Sequence, residues 1–312
     1  MPSRLRPTPL LLALAFLAFL AVPAFQDESM TSFCFRLLEL VAMTYSLNLI
    51  TGYLGYVDFG HIVFYGVGAY TTALLLSGGV ALHPALLILP GGAAALLFGL
   101  LAGYPALRLR GAYFAIATFS INEAMKAVVL NVDWLGGSEG IPLARYIRLE
   151  LTTAYYVLLG IAAAVAAFSY TAVRQKFGLG MLAIREDEDV AEALAIDTTR
   201  YKLLTYALSG AVAGLAGGIV GLAHVYVSTE YFDVGKSIEM FVIMMLGGAG
   251  TALGPLLGAF LYFLIKDFLI LRSPHLHQII FGLIIVFIVL FLPAGLVGYL
   301  RERSGRLRAL LE

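Results

Sequence analysis

The sequence predicts an all-α, polytopic integral membrane protein of about ten membrane-spanning segments, two of them glycine-broken, with both termini on the cytoplasmic side. Three observations predict it: an apolar composition, ten apolar runs of spanning length, and a one-sided distribution of Lys and Arg. Of 312 residues, 61% are hydrophobic and 13% charged, and the mean hydropathy is +0.91. Soluble domains carry roughly 25% charged residues. Too few polar groups remain here to cover a water-facing surface, so lipid must cover it. Basic and acidic residues balance at 20 each, and no basic run suits a phosphate backbone, so nucleic acid is not an expected partner.

A hydrocarbon core of ~30 Å takes about 20 apolar residues as helix, because in lipid each backbone amide must be satisfied within its own segment. Runs that qualify are residues 9–25, 33–51, 58–77, 84–104, 112–132, 152–172, 203–226, 237–249, 254–271 and 277–298. Together they make one transmembrane domain over 1–312, with its longest polar loop at 173–202. Placing the N-terminus inside puts Arg4, Arg6, Arg108, Arg110, Arg174, Lys176, Arg185, Arg200, Lys202, Arg301, Arg303, Arg306 and Arg308 in the cytoplasm. Only Arg145, Arg148, Lys236 and Arg272 then lie outside, a bias of thirteen to four that fixes the orientation. Arg4 and Arg6, the first apolar run and Val22-Pro23-Ala24 also fit a cleavable signal segment, but Asp27 and Glu28 emerge outside in either case.

Two spans are not plain helices. The stretch 54–70 contains Gly55, Asp58, Gly60, His61 and Gly66, and the stretch 246–262 contains Gly247, Gly248, Gly250, Gly254 and Pro255. Paired breaks in the two halves of a transporter point to a substrate path built from half-helix ends, and those residues with Glu239 are its candidates. Close helix packing through small residues explains the same glycines, and both readings stay open.

Charge within a span costs ~2.5–3.5 kcal/mol on insertion scales. Spacing pairs Glu123 with Lys126 and Arg36 with Glu39, three apart on one helix face. Asp58, His61, His224 and Glu239 are left without a local partner and are expected at helix ends. No Ser/His, paired-carboxylate or metal-ligand constellation is expected at a shared depth; the nearest histidine pair, His275 and His277, sits in a loop. Cys34 is the only cysteine. No cofactor is called for. Gly235-Lys236-Ser237 resembles the end of a phosphate loop, but Glu230 stands where its first glycine belongs, so ATP hydrolysis is expected on other chains and this one is not an enzyme.

In the loop 173–202, Asp187 is placed to cap a helix of two to three turns whose Val190, Ala193 and Leu194, beside Ala191 and Ala195, form an apolar stripe. So short a helix needs a surface to dock on. Its own chain's cytoplasmic face and a groove in another subunit both qualify.

An ordered set of motifs then carries a resemblance. SLNLITGYLGYVDFGHIVFYGVGAY at 46–70, LRLRGAYFAIATFSINEAM at 107–125, GGSEGI at 136–141, the loop above, MMLGGAGTALGPLLGA at 244–259 and FLPAGLVG at 291–298 together resemble the M-type permeases of branched-chain amino acid ABC importers. Related urea and amide permeases share much of the pattern. The resemblance implies a plasma or inner membrane location, a second permease subunit, two cytoplasmic ATPase subunits and an external substrate-binding protein. It also implies that Gly180, Ala183, Ile184, Arg185, Glu186, Asp187, Ala193, Leu194 and Ile196, with Val190 of the stripe, couple the permease to its ATPase. An ion-coupled secondary transporter is the alternative of another class.

Overall fold

A computed structural model describes residues 7–25, 27–80, 82–146, 149–272, 282–283, 286 and 295–303. Six of the described helical segments are long and apolar enough to cross a membrane: Thr8–Phe25, Glu28–Tyr53, Pro84–Ala106, Ala112–Asn131, Leu151–Ala172 and Thr198–His224. Two shorter apolar helices, Ile62–Ser77 and Gly254–Lys266, accompany them. The expected tenth run at 277–298 lies largely outside the described residues.

Helix α1 spans Pro7–Ala21 and α2 spans Glu28–Leu47, capped by the Asp27 carboxylate on the amides of Ser29 and Met30. The second widens into a π-turn over Asn48–Tyr53. Helix α3 (Ile62–Ser77) starts four residues later than the apolar run predicts, because 58–61 serve as a polar turn. Then follow α4 (Ile88–Ala106), α5 (Ala112–Asn131) and α6 (Leu151–Ala172). The polar loop folds into two helices rather than one, α7 (Lys176–Glu186) and α8 (Glu188–Ala193). Helix α9 (Thr198–His224) begins inside what composition reads as loop, since Asp197 caps it on the amide of Arg200. Helices α10 (Val234–Gly247), α11 (Gly254–Arg272) and α12 (Gly295–Arg303) complete the described chain. One short antiparallel ladder, Ile141–Pro142 with Tyr226–Val227, departs from the all-α expectation.

Small residues decide where the helices meet. Helix α9 buries Gly210, Ala213, Gly214, Ala216, Gly217 and Gly218, and α3 and α4 lie against it. A Cβ at Gly68 of α3 would collide with the Gly214 carbonyl, so the two backbones touch directly. Lipid tails give helices no hydrophobic reason to associate, and such close approach supplies dispersion contact instead. Helix α1 is the outlier: Leu10, Leu11, Leu14, Leu17 and Leu20 are exposed, and Tyr155 of α6 holds it by donating to the Phe19 carbonyl at 2.7 Å.

Backbone that is not α-helical precedes two of the shorter helices, at 54–61 before α3 and at 225–233 before α10, the second with a 3-10 turn over Thr229–Phe232. The second lies in the connection that the sequence places outside the membrane between the runs 203–226 and 237–249, and a third break, the turn 248–253 between α10 and α11, falls within the expected stretch 246–262. The stretches 54–61 and 225–233 pack in part against the middles of neighbouring helices, while Gly55, Tyr226, Glu230 and Asp233 stay exposed. Asn122, midway along α5, donates to the Phe232 carbonyl at 2.9 Å, and Thr118 of α5 packs on Gly60. Such backbone survives at membrane depth only inside protein or along a cavity.

Candidate functional site

The loop helices are fastened to the bundle by charge. Glu188 of α8 accepts from Lys202 Nζ at 2.6 Å and from the Tyr56 hydroxyl at 2.5 Å, and Arg110 approaches it at 3.3 Å. Lys202, which the sequence reading left in solvent, is buried in the first turns of α9, where it also donates to the Leu107 carbonyl at 3.1 Å. Burial pushes the Glu188 carboxyl up, but hydrogen bonds from Lys202 and Tyr56 and the charges of Lys202 and Arg110 outweigh it and hold the group below its ordinary value. Asp187 caps α8 on the amides of Asp189 and Val190, as expected. The apolar stripe, however, is split. Ala191 turns inward at 1% exposure, while Val190 at 55% and Leu194 at 70% stand in the open with Ala193. At six residues, α8 is shorter than predicted and leans on α7 and α9 for support.

The remaining coupling candidates lie on α7 and beyond it. Gly180 packs on the Tyr201 ring, and Ile184 is buried. Ala183 and Ile196 are partly covered, and Glu186 is exposed. Arg185 reaches into the bundle: its guanidinium donates to the Gly52 carbonyl at 2.5 Å, and its stem lies against Gly55. Next to it, Gly250 sits at φ +73°, a value few side chains tolerate. The Gly250 amide donates to Asn48 Oδ1 at 2.8 Å, and Asn48 Nδ2 donates to the Thr251 carbonyl at 3.2 Å. The first and third breaks thus meet around Arg185. Gly248, at φ +122°, belongs to the same turn. Gly66 packs on the Phe232 ring, and Gly247 and Gly254 pack on each other.

The expected ion pairs between residues three apart do not form. Glu39 pairs with Lys236 at 3.7 Å and accepts from the Tyr65 hydroxyl at 2.6 Å instead of meeting Arg36. Glu123 accepts from Asn122 and makes no pair with Lys126. Conversely, Asp58 and His61 partner each other at 2.9 Å, fully buried. His61 Nε2 lies 2.7 Å from Ser46 Oγ, which donates to the Ser209 carbonyl at 2.6 Å. A Ser-His-Asp chain does therefore exist, contrary to expectation, and ties α2, the first break and α9 together. Glu239 pairs with Lys266 at 2.6 Å, and His224 meets the Tyr231 hydroxyl at 3.3 Å.

Between α2, α3, α10 and α11 lies a cavity of about 200 Å³. Arg36, Glu39, Lys236, Glu239 and Lys266 line it, with Leu40, Met43, Ile62, Met240 and Phe263. Beside it the starts of α3 and α10 are joined by the Ile62 amide donating to Ser237 Oγ at 3.0 Å. The Gly235-Lys236-Ser237 run thus serves helix docking and this cavity. No cluster of three or more His, Cys, Asp or Glu side chains able to hold a metal is found among the described residues.

Residues 30–289 match the family described as branched-chain amino acid transport system, permease component. The chain belongs to this family. Among the permease's relatives is the high-affinity branched-chain amino acid transport system permease protein LivM of Salmonella typhimurium, 28% identical over 82% of this chain and 67% of the relative. The probable LivM of Methanocaldococcus jannaschii is 25% identical over 62% of each chain. The autoinducer 2 import system permease protein LsrC of Escherichia coli O157:H7 is 27% identical over 96% of this chain and 87% of the relative. No solved structure matches. The polytopic, membrane-embedded character read from composition stands on this membership and on the six long apolar helices.

Of the permease's cavity residues, sequence reasoning singled out only Glu239 as a path candidate. The signal that finds the rest is charge at membrane depth, since Glu39 lies midway along α2 and such groups face a bundle interior or a water-filled cavity. The clamp on α8 had no such signal, because Glu188 and Lys202 belong to separate helices.

Proposed function

We propose that this permease is one of two membrane subunits of an ATP-binding-cassette importer for apolar amino acids in the plasma or inner membrane. Separate cytoplasmic ATPase subunits act on α8, and an external binding protein delivers the substrate. The carrying observation is the exposed pair Val190 and Leu194, on a helix whose other face is clamped to the bundle through Ala191 and Glu188. Val190 and Leu194, one turn apart and both exposed, offer a partner surface an apolar ridge, and the clamp makes that helix a lever rather than a tether.

This reading counts ten crossings: the six long helices, α3 and α10 each with its preceding irregular stretch, α11, and the apolar run at 277–298. The thirteen-to-four excess of Lys and Arg supports termini on the inside. Branched-chain amino acids as cargo rest on the LivM relatives, while LsrC is named for a different cargo, so substrate must be tested directly.

The test is reconstitution with the second permease, the ATPases and the binding protein. Replacing Val190 and Leu194 with Asp is expected to abolish ATP-driven leucine uptake and co-purification of the ATPase, with membrane insertion unchanged. Normal co-purification overturns the lever. Uptake by this chain alone, driven by an ion or pH difference without nucleotide, overturns the importer.

A further inference from the structure

We infer that the cavity between α2, α3, α10 and α11 is a binding station for a zwitterionic amino acid, with Arg36 as the anchor for its carboxylate. The inference rests on the importer reading above and adds where the substrate is held and by which charges. Three cations, Arg36, Lys236 and Lys266, line the cavity against two anions, Glu39 and Glu239. Lys266 is engaged by Glu239 at 2.6 Å and Lys236 by Glu39 at 3.7 Å. Arg36 has no ion pair or hydrogen bond among the described residues. The excess positive charge is therefore an unpaired, exposed guanidinium, a planar fork suited to a carboxylate.

An ammonium group finds its place on Glu39. That carboxylate uses Oε1 for both Tyr65 and Lys236 and leaves Oε2 without a partner among the described residues. The Lys236 contact, at 3.7 Å, is the longest ion pair among the described residues, and Lys236 also lies over the Tyr65 and Tyr231 rings, 5.0 and 5.6 Å from their centroids. It can yield Glu39 to a substrate cation and keep those ring contacts. Arg36 and Glu39 are three apart on α2, on one face, which is the arrangement a substrate bearing both charges on one carbon needs. The remaining wall, Leu40, Met43, Ile62, Met240 and Phe263, offers hydrocarbon and thioether surface to its side chain. Pockets for drug-sized ligands run roughly 300–1,000 Å³; at about 200 Å³ this one suits something smaller. A neutral sugar would bring no carboxylate to Arg36.

The experiment uses the complete transporter in vesicles, carrying Leu40→Cys as reporter. The only native cysteine, Cys34, is buried, and modification of this chain by a water-soluble maleimide is read by mass. L-leucine at about ten times its half-protecting concentration is expected to slow labelling about tenfold. Leucinamide, lacking the carboxylate, and 4-methylpentanoate, lacking the ammonium, are expected to protect at least tenfold more weakly. Arg36→Gln is expected to erase the preference for leucine over leucinamide, and Arg36→Lys to retain part of it. Equal protection by leucine and leucinamide, protection by a pentose as strong as by leucine, or no protection by leucine overturns the station. Phe263→Cys replaces the reporter if Leu40→Cys does not assemble. ATP-driven leucine uptake with no protection sinks the station and leaves the importer standing. Absence of ATP-driven leucine uptake by the parent transporter sinks the importer itself.

Discussion

Arg185 donates to the Gly52 carbonyl at 2.5 Å, joining the end of α7 to the π-turn that closes α2. A π-turn leaves its backbone loosely satisfied and frequently marks a functional position. Here the side chain that fills the gap belongs to the loop on which the ATPase is proposed to act. Movement of α7 and α8 must therefore pull on Gly52, and through Gly250 and Asn48 on the turn between α10 and α11. A hydrogen bond to a charged group contributes about 1.5–3 kcal/mol. Arg185→Ala is expected to cut uptake about tenfold or more while the chain still co-purifies with its ATPase, because Val190 and Leu194 are untouched. Uptake per ATP hydrolysed in proteoliposomes checks it.

The clamp on α8 predicts a pH profile. The Glu188 carboxyl lies below its ordinary value in the folded protein, so its charged form is favoured by folding. That contribution is complete above the unfolded value near ~4.3 and is lost as pH falls through the lower folded value. Thermal stability of the purified complex is expected to stay flat, as far as Glu188 is concerned, from neutral pH down to about 5, and to fall only in stronger acid. Glu188→Gln is expected to remove that acid-dependent part. At neutral pH it leaves Lys202 buried without its counterion, a loss of about 3–5 kcal/mol at full burial. Adding Lys202→Met is expected to recover part of it, which a thermal-inactivation double-mutant cycle measures.

How far the sequence reads depends on what each residue answers to. The runs at 112–132 and 152–172 match α5 and α6 within a residue, because lipid demands continuous apolar helix there. The connection after residue 226 reads as an external loop, and the inward turn of Tyr231 and Phe232 is not legible there, because no Gly or Pro marks the place where it folds against α5. The three-residue spacing rule pairs Arg36 with Glu39 and Glu123 with Lys126, and passes over Asp58 and His61, the one pair at that spacing that forms among the described residues. In a bundle, buried polar groups choose partners by depth across helices, as Glu39 chooses Tyr65 and Lys236. Spacing along one helix does not contain that information.

The contact between α3 and α9 predicts opposite outcomes for two glycines. A methyl at Gly68 would press into the Gly214 backbone, whereas nothing lies within 4 Å of one at Gly160 on α6. Gly68→Ala is expected to destabilise by about 1–3 kcal/mol through overpacking. Gly160→Ala is expected to be neutral or stabilising by roughly 0.5–1 kcal/mol, since alanine is the better helix former. Thermal inactivation of the two variants side by side reads both.

The Ser46, His61 and Asp58 chain resembles a hydrolase triad but runs in the opposite direction. In a nucleophile the serine gives its proton to histidine. Here Ser46 gives it to the Ser209 carbonyl at 2.6 Å, so His61 meets Ser46 Oγ with Nε2 as donor and faces Asp58 Oδ2 with Nδ1. All three side chains are fully buried, which leaves no approach for a substrate carbonyl. The arrangement is a strut across α2, the first break and α9. A fluorophosphonate probe is expected not to label the folded chain at Ser46. Ser46→Ala is expected to destabilise by about 1–3 kcal/mol for each polar group left unpaired, the Ser209 carbonyl and the Nε2 proton. Labelling at Ser46, or unchanged thermal stability in Ser46→Ala, would contradict the strut.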